Sequence, residues 1–254
     1  MAKKGKKKAG QGKSKIGLWV LFGIIMLAGL FLRLYQPDWY ADRQFHPDER
    51  WIVGSAVPGL NYPDKPIGLQ YGSLPLYILS FYKNFLNDLR NNGWVKNLDT
   101  NRELIGGARV MSGLVDAGTI VFVFLAAMLL FGPKPALFSA ALLAFTPLHI
   151  HAAHFFTVDT FMAFFLSAMI YFCARIYKYG TLPNYILAGV FYGAALASKI
   201  AASPAALAIF GAHFLYFLSI KGKTASAREE KLQSWINLGW AALTAFAAFF
   251  VFMP

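Results

Sequence analysis

The chain has 254 residues, 57% hydrophobic and only 14% charged, where a soluble domain carries roughly 25% charged residues. Its 24 Lys and Arg against 12 Asp and Glu give a formal charge of +12, a bulk figure that would fit a nucleic-acid binder. The distribution excludes both that reading and a soluble globular fold. Seven basic residues (Lys3, Lys4, Lys6, Lys7, Lys8, Lys13, Lys15) precede residue 16, nine acids lie between Asp38 and Asp116, and the last 138 residues hold only Asp159, Glu229 and Glu230.

The first element is an apolar run over 16–32, near the roughly 20 residues that cross a bilayer core. A Lys-rich start before such a run also fits a signal peptide, but Phe31-Leu32-Arg33 offers no small-residue cleavage site. A retained anchor is therefore expected, with Arg33 as a boundary residue that snorkels to the interface. Further runs cover 105–131, 136–150, 158–177, 185–220 and 235–252. The 36 residues of 185–220 are too many for one crossing, and Ser198-Lys199 and Ser203-Pro204 break the run; two shorter helices with Lys199 near their turn are expected. The class is thus an all-α polytopic membrane protein with about seven transmembrane helices.

Orientation follows from the basic residues. With the 1–15 tail in the cytoplasm, Lys134, Arg175, Lys178, Lys221, Lys223, Arg228 and Lys231 all fall on the inside. The 35–104 loop and the turn ending at Asp159 fall outside. Within the loop, apolar residues at 74, 76, 78, 79, 81, 82, 85, 86 and 89 follow a helical period with Pro75 in the first turn, predicting an amphipathic helix on the membrane surface or against the bundle. Pro58, Gly59, Pro63, Pro66 and Gly68 mark an irregular connection before it.

Three groups carry candidate chemistry. Phe45-His46-Pro47-Asp48-Glu49-Arg50 sets two carboxylates beside a His and an Arg, an acid/base or metal-ligand pattern whose alternative is a solvated loop with a surface ion pair. His149-x-His151-x-x-His154-Phe-Phe-Thr-Val-Asp159 places an acid at the mouth of a membrane helix, costly unless it faces a polar cavity; the His residues allow a metal, and Thr157 or Asp159 suits a helix cap. Arg109, Asp116 and Lys199 stand in apolar surroundings, either as phosphate-holding cations or as a structural pair of Arg109 with Asp116, seven residues along one face. No phosphate loop, GxGxxG, HExxH or GxSxG motif occurs, so nothing is built for a soluble nucleotide.

In order and spacing these residues resemble the GT-C superfamily of membrane glycosyltransferases, in the branch of protein O-mannosyltransferases and aminoarabinose-type lipid A glycosyltransferases. The resemblance rests on His46-Pro47-Asp48-Glu49 opening the long loop, on Tyr71-Gly72-Ser73-Leu74-Pro75-Leu76-Tyr77, and on Ala108-Arg109-Val110. Thr146-Pro147-Leu148 through Thr157-Val158-Asp159-Thr160 and the Gly189 to Lys199 segment complete it. It covers about 16–220, and since such proteins usually continue through further spans, it implies either the N-terminal portion of a longer enzyme or a short relative completed by another subunit.

The implied reaction is inverting transfer of a sugar from a polyprenyl-phosphate donor to a protein, lipid or glycan acceptor on the periplasmic or extracellular face. Asp48 is then the expected base, with Glu49 orienting it or the acceptor or binding a divalent ion. Arg109 and Lys199 are the expected phosphate cations and Asp159 completes the pocket, with His46, Tyr71 and His154 as further substrate contacts. Membrane lipids are the other partners, and no nucleic acid is expected. A transporter or flippase of a lipid-linked substrate is the alternative, for which polar residues should be spread through the middle of several helices. A non-catalytic scaffold is the third reading, and it would tolerate loss of Asp48, Glu49 and Asp159 together.

Overall fold

The computed structural model describes residues 2–37, 39, 46–58, 60–64, 71–94, 100–222 and 224–253. Phe45, Gly59, Pro66, Gly68 and Lys223, and the side chains of the Lys-rich tail, lie outside the described residues. No strand occurs among the described residues.

Helix α1 (Ala2–Leu34) ends where Gln36 takes a φ of 51° and Pro37 follows, two features that cannot continue a helix. The short α2 (Pro47–Trp51) runs into a wider π-turn, Ile52–Ala56. The predicted amphipathic helix is α3 (Ser73–Asn91), with Pro75 in its first turn. It lies against the bundle: Leu76, Tyr77, Leu79 and Leu86 pack in one cluster with Ile52, Ile105, Ala108, Phe156 and Phe161, while Phe81 and Phe85 stay exposed. Its polar flank ties down the loop before it, with Lys83 Nζ donating to the Val57 carbonyl at 2.9 Å and Ser80 donating to that of Leu60.

Helix α4 (Thr100–Phe131) crosses the whole bundle and turns at Gly132 (φ 87°) into α5 (Pro133–Phe145). Pro147 then opens α6 (Pro147–Ala153) at a bend of 56°. Helix α7 (Val158–Tyr179) stops at Gly180 in the left-handed region, the usual αL terminator. The long apolar stretch beyond divides as its polar centre predicts: α8 (Leu182–Ser198), a 3-10 turn (Ile200–Ala205) and α9 (Ala206–Ser219), with Lys199 at the break. Helix α10 (Ala225–Phe252) begins ten residues before the expected 235, capped by Thr224 Oγ1 accepting from Ala227 N–H at 3.3 Å.

Five of these helices are long and apolar enough to cross a membrane: Ile16–Leu34, Arg102–Phe131, Val158–Tyr179, Ile200–Ser219 and Ala225–Phe252. The bent pair α5–α6 raises the count to six, and α8 is apolar but only 17 residues long. With little hydrophobic drive between helices in lipid, close packing of small residues holds such a bundle together. Gly189 and Gly193 of α8 supply it, since a Cβ at either would lie 2.2 Å from the Ala241 carbonyl oxygen or 2.4 Å from that of Ala245 on α10. Helices α1, α4 and α5 meet through Ile25, Ile120, Phe124, Ala136 and Ala140. The chain is a multi-pass membrane protein, and the break at Lys199, the start of α7 and the 46–94 segments gather at one end of it.

Candidate active site

Proline at 47 sets the first turn of α2, and His46 caps it: the Asp48 N–H donates to His46 Nδ1 at 3.2 Å. This turn aims the two adjacent carboxylates in opposite senses. Glu49 points inward and is fully buried, whereas Asp48 is half-exposed.

A buried carboxylate persists only with a full set of partners, and Glu49 has them. Arg109 grips it bidentately, Nε to Oε1 at 2.9 Å and Nη2 to Oε2 at 2.7 Å, and the Phe156 N–H donates to Oε1 at 3.1 Å. Arg109 is itself 1% exposed, and its Nη1 donates to the Pro37 and Trp39 carbonyls at 3.3 and 2.7 Å. Its guanidinium also lies over the Trp39 and Phe155 rings at 5.4 and 5.6 Å. One ion pair thus joins the chain after α1 to α2, α4 and the α6–α7 connection. Arg109, expected to meet a phosphate, and Glu49, expected to meet an acceptor or ion, thus engage each other and backbone in this structure.

Asp48 is placed differently. Its Oδ1 accepts a hydrogen bond from the Tyr71 hydroxyl at 2.9 Å, and the Tyr71 ring packs at a 31° tilt against that of Trp51 with centroids 4.9 Å apart. Burial, then the hydrogen bond and charge of Asp48, then the charge of Asp159 push the Tyr71 pKa up to about 12. The phenol therefore stays a donor at any working pH, and it feels both carboxylates at once.

Asp159, in the first turn of α7, is held by Lys199, whose Nζ donates to Oδ1 at 2.7 Å and Oδ2 at 2.9 Å. This pair stays in reach of solvent, with side chains 47% and 31% exposed. It meets the Tyr71 side of the site through backbone. The Gly72 N–H donates to the Ser198 carbonyl at 3.0 Å, and a Cβ on Gly72 would fall 2.0 Å from the Ala197 carbonyl oxygen. Only glycine lets the residue after Tyr71 press against the last turn of α8.

The remaining candidates flank this group. The His46 ring lies 5.1 Å from that of Phe155, which His151 also meets at 5.2 Å. His154 donates from Nδ1 to the Ile150 carbonyl one turn back at 2.7 Å, so its described bond is within its own helix. Thr157 stands at the cap position of α7 but meets Thr160 Oγ1 at 3.3 Å in place of a backbone N–H. Among the described residues no three His, Cys, Asp or Glu side chains converge to hold a metal ion. Sequence reasoning missed the Phe156 N–H, the Trp51 ring and the reason for Gly72; a pair of aromatics inserted between His154 and Thr157 was the available signal for the first.

Two expectations are corrected. Arg33 does not snorkel to the interface, and Asp116 is not the partner of Arg109. Arg33 is 1% exposed and donates from Nε to Asp116 Oδ2 at 2.6 Å, and His149 Nδ1 meets Asp116 Oδ1 at 2.9 Å.

No curated protein matches the chain. Among solved structures it is similar to the oligosaccharyltransferase of Archaeoglobus fulgidus tethered with an acceptor peptide containing the NVT sequon, with a TM-score of 0.53 and 15% identity over 93% of this chain and 34% of that one. The apo form of the same enzyme gives 0.51 and 15% over 92% and 33%. The likeness is one of fold, and the chain spans about a third of that enzyme's length. Residues 102–254 match the model of the dolichyl-phosphate-mannose-protein mannosyltransferases. That match covers more than half of the sequence, and the chain belongs to this family of GT-C membrane glycosyltransferases.

Proposed function

We propose that the chain carries the donor and base half of a membrane glycosyltransferase, which moves a sugar from a polyprenyl-phosphate carrier to an acceptor hydroxyl. The observation that carries this reading is the half-exposed Asp48 carboxylate, one oxygen fixed by Tyr71 and the other not so held, beside the Asp159–Lys199 pair. Asp48 takes the proton of the acceptor hydroxyl as its oxygen bonds to the anomeric carbon. On the opposite face the bond from that carbon to the phosphate oxygen breaks, and polyprenyl phosphate leaves with the electron pair, inverting the centre.

Lys199 is the exposed cation for the developing phosphate charge. Asp159 orients it and accepts from sugar hydroxyls, and His46 and His154 line the approach. Glu49 and Arg109 are positioning residues that fix the turn on which Asp48 stands. The site faces the non-cytoplasmic side in this reading: Lys134, Arg175, Lys178, Lys221, Arg228 and Lys231 sit at the other end of the bundle, where Lys178 Nζ donates to the Leu129 carbonyl at 2.7 Å.

The test is Asp48→Asn in the full-length protein, assayed with a radiolabelled lipid-linked sugar. Loss of a general base lowers turnover by about 10²–10⁴-fold; unchanged turnover refutes the assignment. Label that crosses the bilayer without forming product would instead favour a flippase.

A further inference from the structure

The buried Arg33 and Asp116, with the partly exposed His149, form a polar group that the transfer reaction does not use. Its surroundings say what it does. The α5 helix ends at Phe145 because Pro147 has no N–H to donate and α6 leaves at 56°. The carbonyls of the last turn of α5 then need other donors within an apolar bundle. Thr146 Oγ1 donates to the Leu142 carbonyl at 2.6 Å. Arg33 Nη2 donates to the Leu143 carbonyl at 3.1 Å and Nη1 to that of Ala144 at 2.9 Å, while Nη1 also reaches Gly29 of its own helix at 3.0 Å. The Thr146 N–H adds only a long 3.4 Å contact to Leu143. On the far side of the break, His149 of α6 is tied to the same Asp116 that anchors Arg33 Nε.

The guanidinium thus stands in for the missing helical donors on one side of the break, and Asp116 fastens the helix on the other. Helix α6 leads straight to Phe155 and Phe156, whose ring and N–H hold Arg109 and Glu49. We propose that the Arg33–Asp116–His149 group is a positioning device for glycosyl transfer: it keeps the α5–α6 helix broken at a set angle, and through Phe155 and Phe156 it sets the turn that carries Asp48. Arg33 is a positioning residue, acting through three intermediates and touching no substrate.

The experiment is a cycle of Arg33→Met, Pro147→Ala and the double variant in the full-length protein, with Arg33→Lys as a variant that retains the charge should Arg33→Met fail to accumulate. Thermal unfolding and transfer turnover are both measured. Alanine at 147 returns an N–H to the Leu143 carbonyl but gives no donor to Asp116 or to the Ala144 carbonyl, so Pro147→Ala restores part, and only part, of the unfolding temperature lost in Arg33→Met, while turnover stays at least tenfold down because a straightened α6 draws Phe156 from Glu49. Arg33→Lys unfolds closer to the parent and still loses turnover, with the KM for the donor little changed. Additive shifts in unfolding temperature overturn the clamp, and recovery of turnover together with stability reduces Arg33 to a structural residue. Only the turnover arm rests on the glycosyl-transfer reading. If that reading fails, the parent protein gives no product, and the unfolding cycle still decides for or against the clamp.

Discussion

The Glu49–Arg109 pair gives the sharpest quantitative test. Both side chains are out of solvent, and their two hydrogen bonds are 2.9 and 2.7 Å. Removing one partner of such a buried pair costs about 3–5 kcal/mol, because the other charge is left uncompensated. Arg109→Met leaves the Glu49 carboxylate with the Phe156 N–H alone among its described donors and falls within that range. Glu49→Gln keeps one acceptor oxygen but turns an amide NH₂ toward the guanidinium, and costs about 3 kcal/mol.

The double variant Glu49→Leu, Arg109→Met removes both charges; the Phe156 N–H loses its acceptor and the Pro37 and Trp39 carbonyls lose the Arg109 donor, a smaller loss than that of an uncompensated buried charge. The double variant is therefore no less stable than either single one, and Glu49→Leu alone is the least stable of the set. With about 2–4 °C per kcal/mol for a chain of this size, each single substitution lowers the unfolding midpoint of the detergent-solubilised protein by roughly 6–20 °C. The cycle should show a coupling of about 3 kcal/mol or more. Additivity within about 0.5 kcal/mol would mean that the two groups do not share their burial, and the reasoning would be wrong.

Tyr71→Phe removes the hydroxyl that donates to Asp48 Oδ1 at 2.9 Å. The carboxylate then loses the hydroxyl that fixes its orientation, so turnover should fall by about tenfold while stability, read from the unfolding midpoint, changes by about 1 kcal/mol or less; unchanged turnover refutes the role of Tyr71. Gly72→Ala forces a methyl group onto the Ala197 carbonyl at 2.0 Å, and the strain of about 1–3 kcal/mol should appear as a lowered unfolding midpoint together with reduced turnover. Lys199→Gln removes a half-exposed partner of Asp159, so stability changes by about 1 kcal/mol or less, but the KM for the donor rises about tenfold or more as one charge-assisted contact to phosphate is lost. An unchanged KM would remove Lys199 from the donor site.

The sequence reading was strongest where a signal is local. The apolar runs of α4 and α7, the period of α3 and the break at Lys199 all follow from residues within one or two turns of each other, and the structure contains them. Partner choice was not legible in the same way. Arg109 and Asp116 share one face of α4, and that spacing invited a pair between them. Helical spacing shows which side chains stand on the same side of a helix, but not which other helix abuts that side. Glu49 comes to Arg109 from 60 residues away and Arg33 to Asp116 from 83. The Phe156 N–H that completes the Glu49 site is a backbone group and has no letter in the sequence. The same distinction separates the two acids at 48 and 49: adjacent carboxylates look alike as residues, and only the fold shows one turned into the core and the other left partly exposed.

The distance between Arg33 and Asp116 also bears on how the protein is made. The two are separated by 83 residues, which at a synthesis rate of about 5–20 residues per second takes about 4–17 s. For that interval the first helix rests in the bilayer with an arginine whose acid does not yet exist, and the residue must hold its charge at the headgroups. Packing of α1 against α4 and α5 is what gives Arg33 the Asp116 carboxylate and the Leu143 and Ala144 carbonyls.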